Sequence, residues 1–300
     1  MVDLSIIIVS WNAREFLVAC LKSITETCES LSHEVLVVDN GSTDGSVEAA
    51  RSLGLGTAII ECGQNLGFAK ANNLGIERSR GRYCCLINSD VVVLPRCLQH
   101  LLAFMDSQPQ VGIAGPLVLN PDGSRQPSCR TVPTFLRLLA RALYLRKELT
   151  DEAFTRDEIS EVEVLSGCFW IVRRAAIEQV GTLDERFFIY AEDVDWCWRF
   201  RQAGWRVTFC PEGRAVHFGG QSSAADPLRF QLELRKASVQ LWRKHYGFAR
   251  AQLYILVMLL HDGLRLMGYS LKRLLASGEK EVIRQRVARH YQSIRWLLSA

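Results

Sequence analysis

Two patterns alternate over the first ninety residues. SIIIVS (5–10), EVLVVD (34–39), TAIIEC (57–62) and the start of RYCCLINSD (82–90) are short, unbroken apolar runs, the mark of strands covered on both faces. Between the first two, residues 13–27 carry Phe16, Leu17, Cys20, Leu21 and Ile24 at helical spacing. NGSTDGS turns the chain into a short helix after the second run, and GFAKANNLGIERS (67–79) is helical again. This βαβαβαβ order predicts an α/β fold, a mostly parallel, twisted sheet flanked by helices, with right-handed crossovers.

After Pro95, Leu98, Leu101, Leu102 and Met105 return to helical spacing; VGIAGPLVL and the turn NPDG follow. Residues 124–160 are irregular, basic and then acidic, and predict a mobile loop or a short helical insertion. EVEVLSGCFWIVRR (161–174) predicts a strand in which Ser166 and Gly167 let a ligand approach closely. Asp193 to Ala203 is helical, and Gly204 is placed to end that helix in a left-handed conformation. RVTFCP and RAVHFGG predict strands, and from Pro227 onward the pattern is helical throughout. The chain therefore divides near 220–227 into an α/β region, 1–226, and a C-terminal helical appendage, 227–300.

Charge sharpens that boundary. Residues 227–300 hold fourteen Lys/Arg against four Asp/Glu, a net of +10, so the rest of a chain of net charge +4 carries −6. A basic helical tail suggests an anionic surface, and aliphatic residues crowd over 253–267 between charged ends. Peripheral membrane contact through 227–300 is one reading; helices packing on the protein or on a dimer partner is the other. Nucleic acid is not expected, because aromatic and basic residues do not interleave there. The N-terminus lacks a basic stretch before its apolar run and turns polar early, and no run approaches the ~20 apolar residues of a membrane span. Ten cysteines lie scattered without a CxxC. They read as reduced core residues of a cytoplasmic protein, working at the inner face of the membrane if the tail binds there.

Ligands in such sheets bind beyond the carboxyl ends of the strands. The polar residues there are Ser10-Trp11-Asn12, Asp39-Asn40 and Asn88-Ser89-Asp90. Each has a plain alternative as a turn or cap. No GxGxxG follows the first strand and no GxxxxGK[ST] occurs, which argues against a dehydrogenase or a P-loop enzyme. The stretch FFIYAEDVDWCWRFRQAGW (187–205) sets Glu192, Asp193 and Asp195 among aromatics. Asp195 has Arg199 as a partner four residues on. One of the other two acids can cap the helix, and the surplus acid admits both a structural and a catalytic reading.

IIIVSWN, VVDNGSTDGS, NLGFAKANNLGI, INSDVVV, the SG of LSGCFW, YAEDVDWCWRFRQAGW, VHFGGQS and WRKHYG occur in an order that resembles the family 2 inverting glycosyltransferases, over roughly 1–247. The likeness is nearest to the rhamnosyltransferase-like branch of bacterial cell-surface polysaccharide synthesis. It implies a GT-A fold, a nucleotide-diphosphate sugar donor (dTDP-rhamnose being the commonest in that branch), a glycan or lipid-linked acceptor, and Mg²⁺ or Mn²⁺. Carried onto this chain, Asp39 resembles the acid that bonds the base and Trp11 the aromatic that stacks on it. Ser10, Asn12, Lys70, Asn73 and Asn88 fall in segments bordering the donor. Ser166 and Gly167 fall on the acceptor side. Asp90 resembles the last residue of the metal-binding DxD and His217 a metal ligand from the strand beyond. Asp193 resembles the general base, its pKa expected to be raised by the surrounding aromatics, and Glu192 a positioning or acceptor-contacting acid. Asn88 stands where a full DxD has Asp, which is expected to weaken metal binding. A nucleotidyltransferase is the competing enzyme class, but VSWNAREF offers only Arg14 for a triphosphate; a nucleotide-sugar-binding domain without activity is the other alternative. Sugar choice is expected from loops 124–160 and 214–226.

Overall fold

Strand β1 (Leu4–Ser10) pairs in parallel with β2 (His33–Asp39) on one side and β4 (Tyr83–Asn88) on the other. β3 (Ala58–Glu61) extends the sheet beyond β2. The register sets Ser10 opposite Asp39 and Val9 opposite Asn88, so three polar strand ends meet along one edge. Ile6, Ile7 and Ile8 are all fully buried, which explains the absence of polar alternation in the run. Ile6 and Ile8 pack with α1 (Arg14–Thr27) through Leu17, Cys20 and Leu21, while Ile7 packs with α3 (Phe68–Arg78) through Ala69, Ala71 and Ile76. A Cβ on Gly75 would stand 2.3 Å from Ile7 Cγ2, so glycine is what lets α3 lie on the sheet.

The computed structural model describes residues 2–28, 31–142, 152–220, 226–275 and 280–300. Of the loops expected to choose the sugar, 143–151 and 221–225 lie outside these residues. Beyond β4 the sheet continues with β10 (Phe169–Arg173), β6 (Val111–Leu119), β11 (Arg206–His217) and β5 (Val91–Val93). β10 runs antiparallel to both neighbours, β6 and β11 are parallel, and β5 is antiparallel to β11. RVTFCP and RAVHFGG are thus one strand rather than two. Its register against β6 shifts between Cys210 and Arg214, opposite Pro116, where a residue without an N–H leaves the ladder irregular.

Residues 161–174 do not form the single strand that their apolar content predicts. β8 (Ser160–Glu161), β9 (Val164–Leu165) and β10 are separate pieces, because Ser166 turns away to bond Ser128 and Arg174 already begins α6 (Arg174–Val180). The irregular stretch after the NPDG turn contains β7 (Cys129–Arg130), paired with β9. Helix α7 (Glu192–Gln202) ends as expected, with Gly204 at φ +87°. Nine of the ten cysteines are buried.

Two units emerge: Met1–Val132 with Thr150–Ala225, and Pro133–Leu149 with Asp226–Ala300. The second therefore captures α5 (Phe135–Ala142), which the charge step near residue 226 does not reveal. Its other helices are α8 (Pro227–Leu275), interrupted at Gly247 with φ +80°, and α9 (Lys280–Leu297). Trp242 stacks on Tyr246 and Tyr254 at the centre of its core. Among the described residues no helix is long and apolar enough to cross a membrane.

Candidate active site

At the carboxyl ends of β1 and β2, Asp39 is buried, and its carboxylate accepts from the backbone N–H groups of Gly41 and Ser42 at 3.1–3.3 Å. Gly41 has φ +81°, and a Cβ there would stand 2.7 Å from the Gln64 backbone. Asn12, at φ +49°, accepts from Thr43 N–H at 2.8 Å, and its own N–H donates to Ser42 Oγ. Asn12 thus ties the loop after β1 to the loop after β2, while Asp39 braces the turn of its own loop. Trp11 is half-buried beside them, and the buried Ser10 Oγ has no partner among the described residues.

The second cluster lies where β4 passes into β5. Pairing of β5 with β11 sets Val91 opposite His217, and Phe218 N–H donates to Asp90 C=O at 3.0 Å. His217 Nε2 then lies 3.2 Å from Asp90 Oδ1 and 3.4 Å from Asn88 Nδ2, while Nδ1 lies 2.7 Å from Gln126 Oε1. Gln126 Nε2 donates to Asn120 Oδ1 and to His217 C=O. That fixes the amide so that its oxygen faces the ring, and the proton belongs on Nδ1. Nε2 is then the ring nitrogen that faces the Asp90 carboxylate and can turn a lone pair to a cation beside it. Their separation is close to that of adjacent ligands on an octahedral ion with bonds of about 2.1 Å. Among the described residues no cluster of three His, Cys, Asp or Glu side chains can hold an ion, so Asp90 and His217 would need oxygen ligands from a bound molecule.

The third cluster opens α7. Tyr190 and Ala191 are consecutive left-handed residues, φ +71° and +65°, a costly backbone for side chains with a Cβ. They deliver Glu192, Asp193 and Asp195 into the protein, all buried. Asp195 pairs with Arg199 at 2.9 Å, as the spacing predicts, and Arg199 also binds the carbonyls of Val180 and Thr182. Asp193 Oδ1 accepts from Val194 N–H, and Oδ2 lies 3.4 Å from the half-exposed Arg130 guanidinium. Burial pushes the Glu192 carboxyl well above the usual carboxylate range, and the neighbouring Asp193 charge adds to that. Its Oε2 has no hydrogen-bond partner among the described residues. Burial thus favours the protonated form of Glu192.

Arg130 is the residue that pattern reading misses, since β7 holds only two residues in a stretch with no periodicity. Its charge reaches Glu192 and also Cys168, whose thiol feels Asp90 as well. Ser166 and Gly167 adjoin that thiol, and Asn88 N–H donates to Cys168 C=O. The N-terminal end of α3 completes the surroundings. Asn73 exchanges bonds with the Leu183 backbone at 2.9 and 3.1 Å and donates to Glu185, while Phe68 N–H donates to Phe188 C=O. Asn73 clamps the loop before α7, whereas Lys70 is exposed.

Residues 5–181 match Glycosyl transferase family 2. The chain is 32% identical to the N-acetylglucosaminyl-diphospho-decaprenol L-rhamnosyltransferase of Mycobacterium tuberculosis, covering 73% of this chain and 78% of that one. The chain belongs to glycosyl transferase family 2. The dTDP-rhamnosyl transferase RfbF of Shigella flexneri is 27% identical, over 69% of this chain and 70% of that protein. In fold the chain resembles the mannosyltransferase PcManGT from Pyrobaculum calidifontis, solved with GDP-Man and Mn²⁺, with a TM-score of 0.58 at 15% identity over 98% of this chain and 87% of that one. This family 2 glycosyltransferase thus has the GT-A fold that its motif order implies. The family match takes in Asp39, Asn88, Asp90 and Ser166, and ends at residue 181, before Glu192 and His217.

Proposed function

We propose that the α/β region, 1–226, transfers a sugar with inversion from a nucleotide-diphosphate donor to a hydroxyl of a glycan or lipid-linked acceptor. L-rhamnose from dTDP-rhamnose is the donor favoured by two rhamnosyltransferase relatives. One of these acts, by its name, on a sugar carried by diphospho-decaprenol, which favours a lipid-linked acceptor here. Trp11 and Asp39 receive the base at the ends of β1 and β2, with Ser10 and Asn12 shaping that pocket.

The single observation that carries this reading is the geometry at the start of α7. Two adjacent acids are buried there, and burial favours the protonated form of Glu192. Asp193, fixed between its own helix N–H and Arg130, is the acid assigned to remove the acceptor proton. Such a base contributes about 10²–10⁴-fold. Glu192 supports it by adding no second charge, and Ser166 and Gly167 leave room for the acceptor. Asp90 and His217 would hold a Mg²⁺ or Mn²⁺ ion, and Asn88 supplies an amide where a second carboxylate would stand. When bound, that ion neutralises charge on the leaving diphosphate.

The test is a panel of UDP-, GDP- and dTDP-sugars, each with and without Mn²⁺ or Mg²⁺, read by thermal shift and by product. Metal-dependent stabilisation by dTDP-rhamnose with slow release of dTDP is expected. Release of pyrophosphate instead would mark nucleotidyl transfer, and no response to any donor would reject the proposal.

A further inference from the structure

The second half of α8 carries a face that the fold leaves uncovered. Leu253, Leu256, Leu260, Leu264, Met267 and Leu271 are 41, 61, 50, 39, 66 and 56% exposed. At 100° per residue the six fall within an arc of about 80°, along about 27 Å of helix. The neighbouring positions on the arc are apolar too: Ala249, Val257 and Gly263. No polar residue between 249 and 275 falls within about 60° of its centre. Scattered single leucines on a surface are ordinary, whereas a continuous stripe of this length marks a contact surface.

Charge identifies what it contacts. Arg250 and Lys272 are exposed and lie beyond one edge of the stripe, about 80° and 120° from its centre. The single acid between 248 and 272, Asp262, is fully buried, paired with Arg235 at 2.8 Å and His290 at 2.9 Å, and bonded by Ser293 Oγ at 2.6 Å. That acid is thus paired inside the protein and leaves no exposed negative charge between 248 and 272. A second copy of this chain would bring two segments of net charge +10 together, an arrangement that like charges oppose. An exposed apolar stripe edged by basic residues, in a segment of net positive charge, is the pattern of a helix lying in the plane of an anionic bilayer surface.

We infer that residues 249–275 dock the protein on anionic membrane, with Leu256, Leu260 and Met267 entering the boundary between headgroups and acyl chains and Arg250 and Lys272 meeting lipid phosphates. This goes beyond the proposed transfer and stands on the helix alone. It also matches a lipid-linked acceptor, since it keeps the enzyme at the surface where such an acceptor lies.

The test uses the full chain and co-sedimentation with vesicles of phosphatidylcholine, either pure or with about a third phosphatidylglycerol. The wild type should pellet with the anionic vesicles and hardly with the neutral ones. Leu256→Gln/Leu260→Gln/Met267→Gln should lower the partition coefficient at least about tenfold. Its circular dichroism and its release of nucleoside diphosphate with a water-soluble acceptor should stay at wild-type values, since the three side chains are exposed. Arg250→Gln/Lys272→Gln should lose the preference for anionic over neutral vesicles. A wild type that pellets with neither vesicle, or a triple variant that pellets like the wild type, overturns the inference. So does a wild-type dimer that the triple variant dissociates while neither protein binds vesicles; the stripe would then belong to a second copy.

Discussion

His217 Nδ1 and Gln126 Oε1 lie 2.7 Å apart, across 91 residues of sequence. That bond orients the imidazole so that Nε2 faces Asp90. Partners of this kind behind a metal ligand typically carry 10- to 100-fold of metal affinity. Gln126→Ala should therefore weaken Mn²⁺ binding at least about tenfold, measured by the Mn²⁺ dependence of donor-induced thermal stabilisation. Asp90→Asn should weaken it further. Unchanged metal dependence in both would remove Asp90 and His217 from the metal site.

Glu192 offers a prediction with a definite sign. Its folded-state pKa lies above the ordinary value of about 4.3, because burial disfavours its charged form. The folded state then holds a proton that the unfolded state releases. The stabilising effect is fully present below the unfolded pKa and is lost as pH rises toward the folded one. Glu192→Gln should leave stability nearly unchanged at pH 4 and raise the Tm at neutral pH. Calorimetry at the two pH values decides it, and a lower Tm at neutral pH would show that the carboxylate is stabilised.

Arg130 is assigned to holding Asp193 in place. Misplacing a reacting group by 1 Å can cost about 10²-fold. Arg130→Ala should lower kcat by about 10–100-fold and leave donor binding unchanged, and Arg130→Lys should recover part of the loss. A fall in donor affinity with kcat intact would place the guanidinium on the diphosphate instead.

Asn73 ties α3 to Leu183 and Glu185. Asn73→Ala leaves the Leu183 backbone groups without those bonds and should cost about 1–2 kcal/mol. Amides of residues 183–188 should exchange faster, and kcat should fall more than donor affinity. Unchanged exchange in that loop would mean that Phe68 and Phe188 alone hold it.

Local chemistry explains which parts of this account are readable from sequence. Apolar runs such as Ile6-Ile7-Ile8 announce strands buried on both faces, and the polar residues closing them, Ser10, Asp39 and Asn88, come to one edge because parallel register places them there. The Asp195–Arg199 pair and the Gly204 stop are equally local. By contrast, His217 meets Asp90 only through antiparallel pairing of β5 with β11, and Asn73 meets Leu183 across 110 residues. Arg130 enters through a two-residue strand, too short to show a period. The capture of α5 by the C-terminal helices rests on side-chain packing rather than on charge.

The measurement that tests the central claim most directly is Asp193→Asn, assayed for metal-dependent donor binding and for sugar transfer in parallel. The substitution keeps the size of the side chain and removes its ability to take a proton. Donor binding should stay within about twofold of wild type, while transfer falls by at least the 10²–10⁴-fold that a general base supplies. Transfer at wild-type rate with the donor still bound would show that another group takes the proton, and the assignment of Asp193 as base would be wrong.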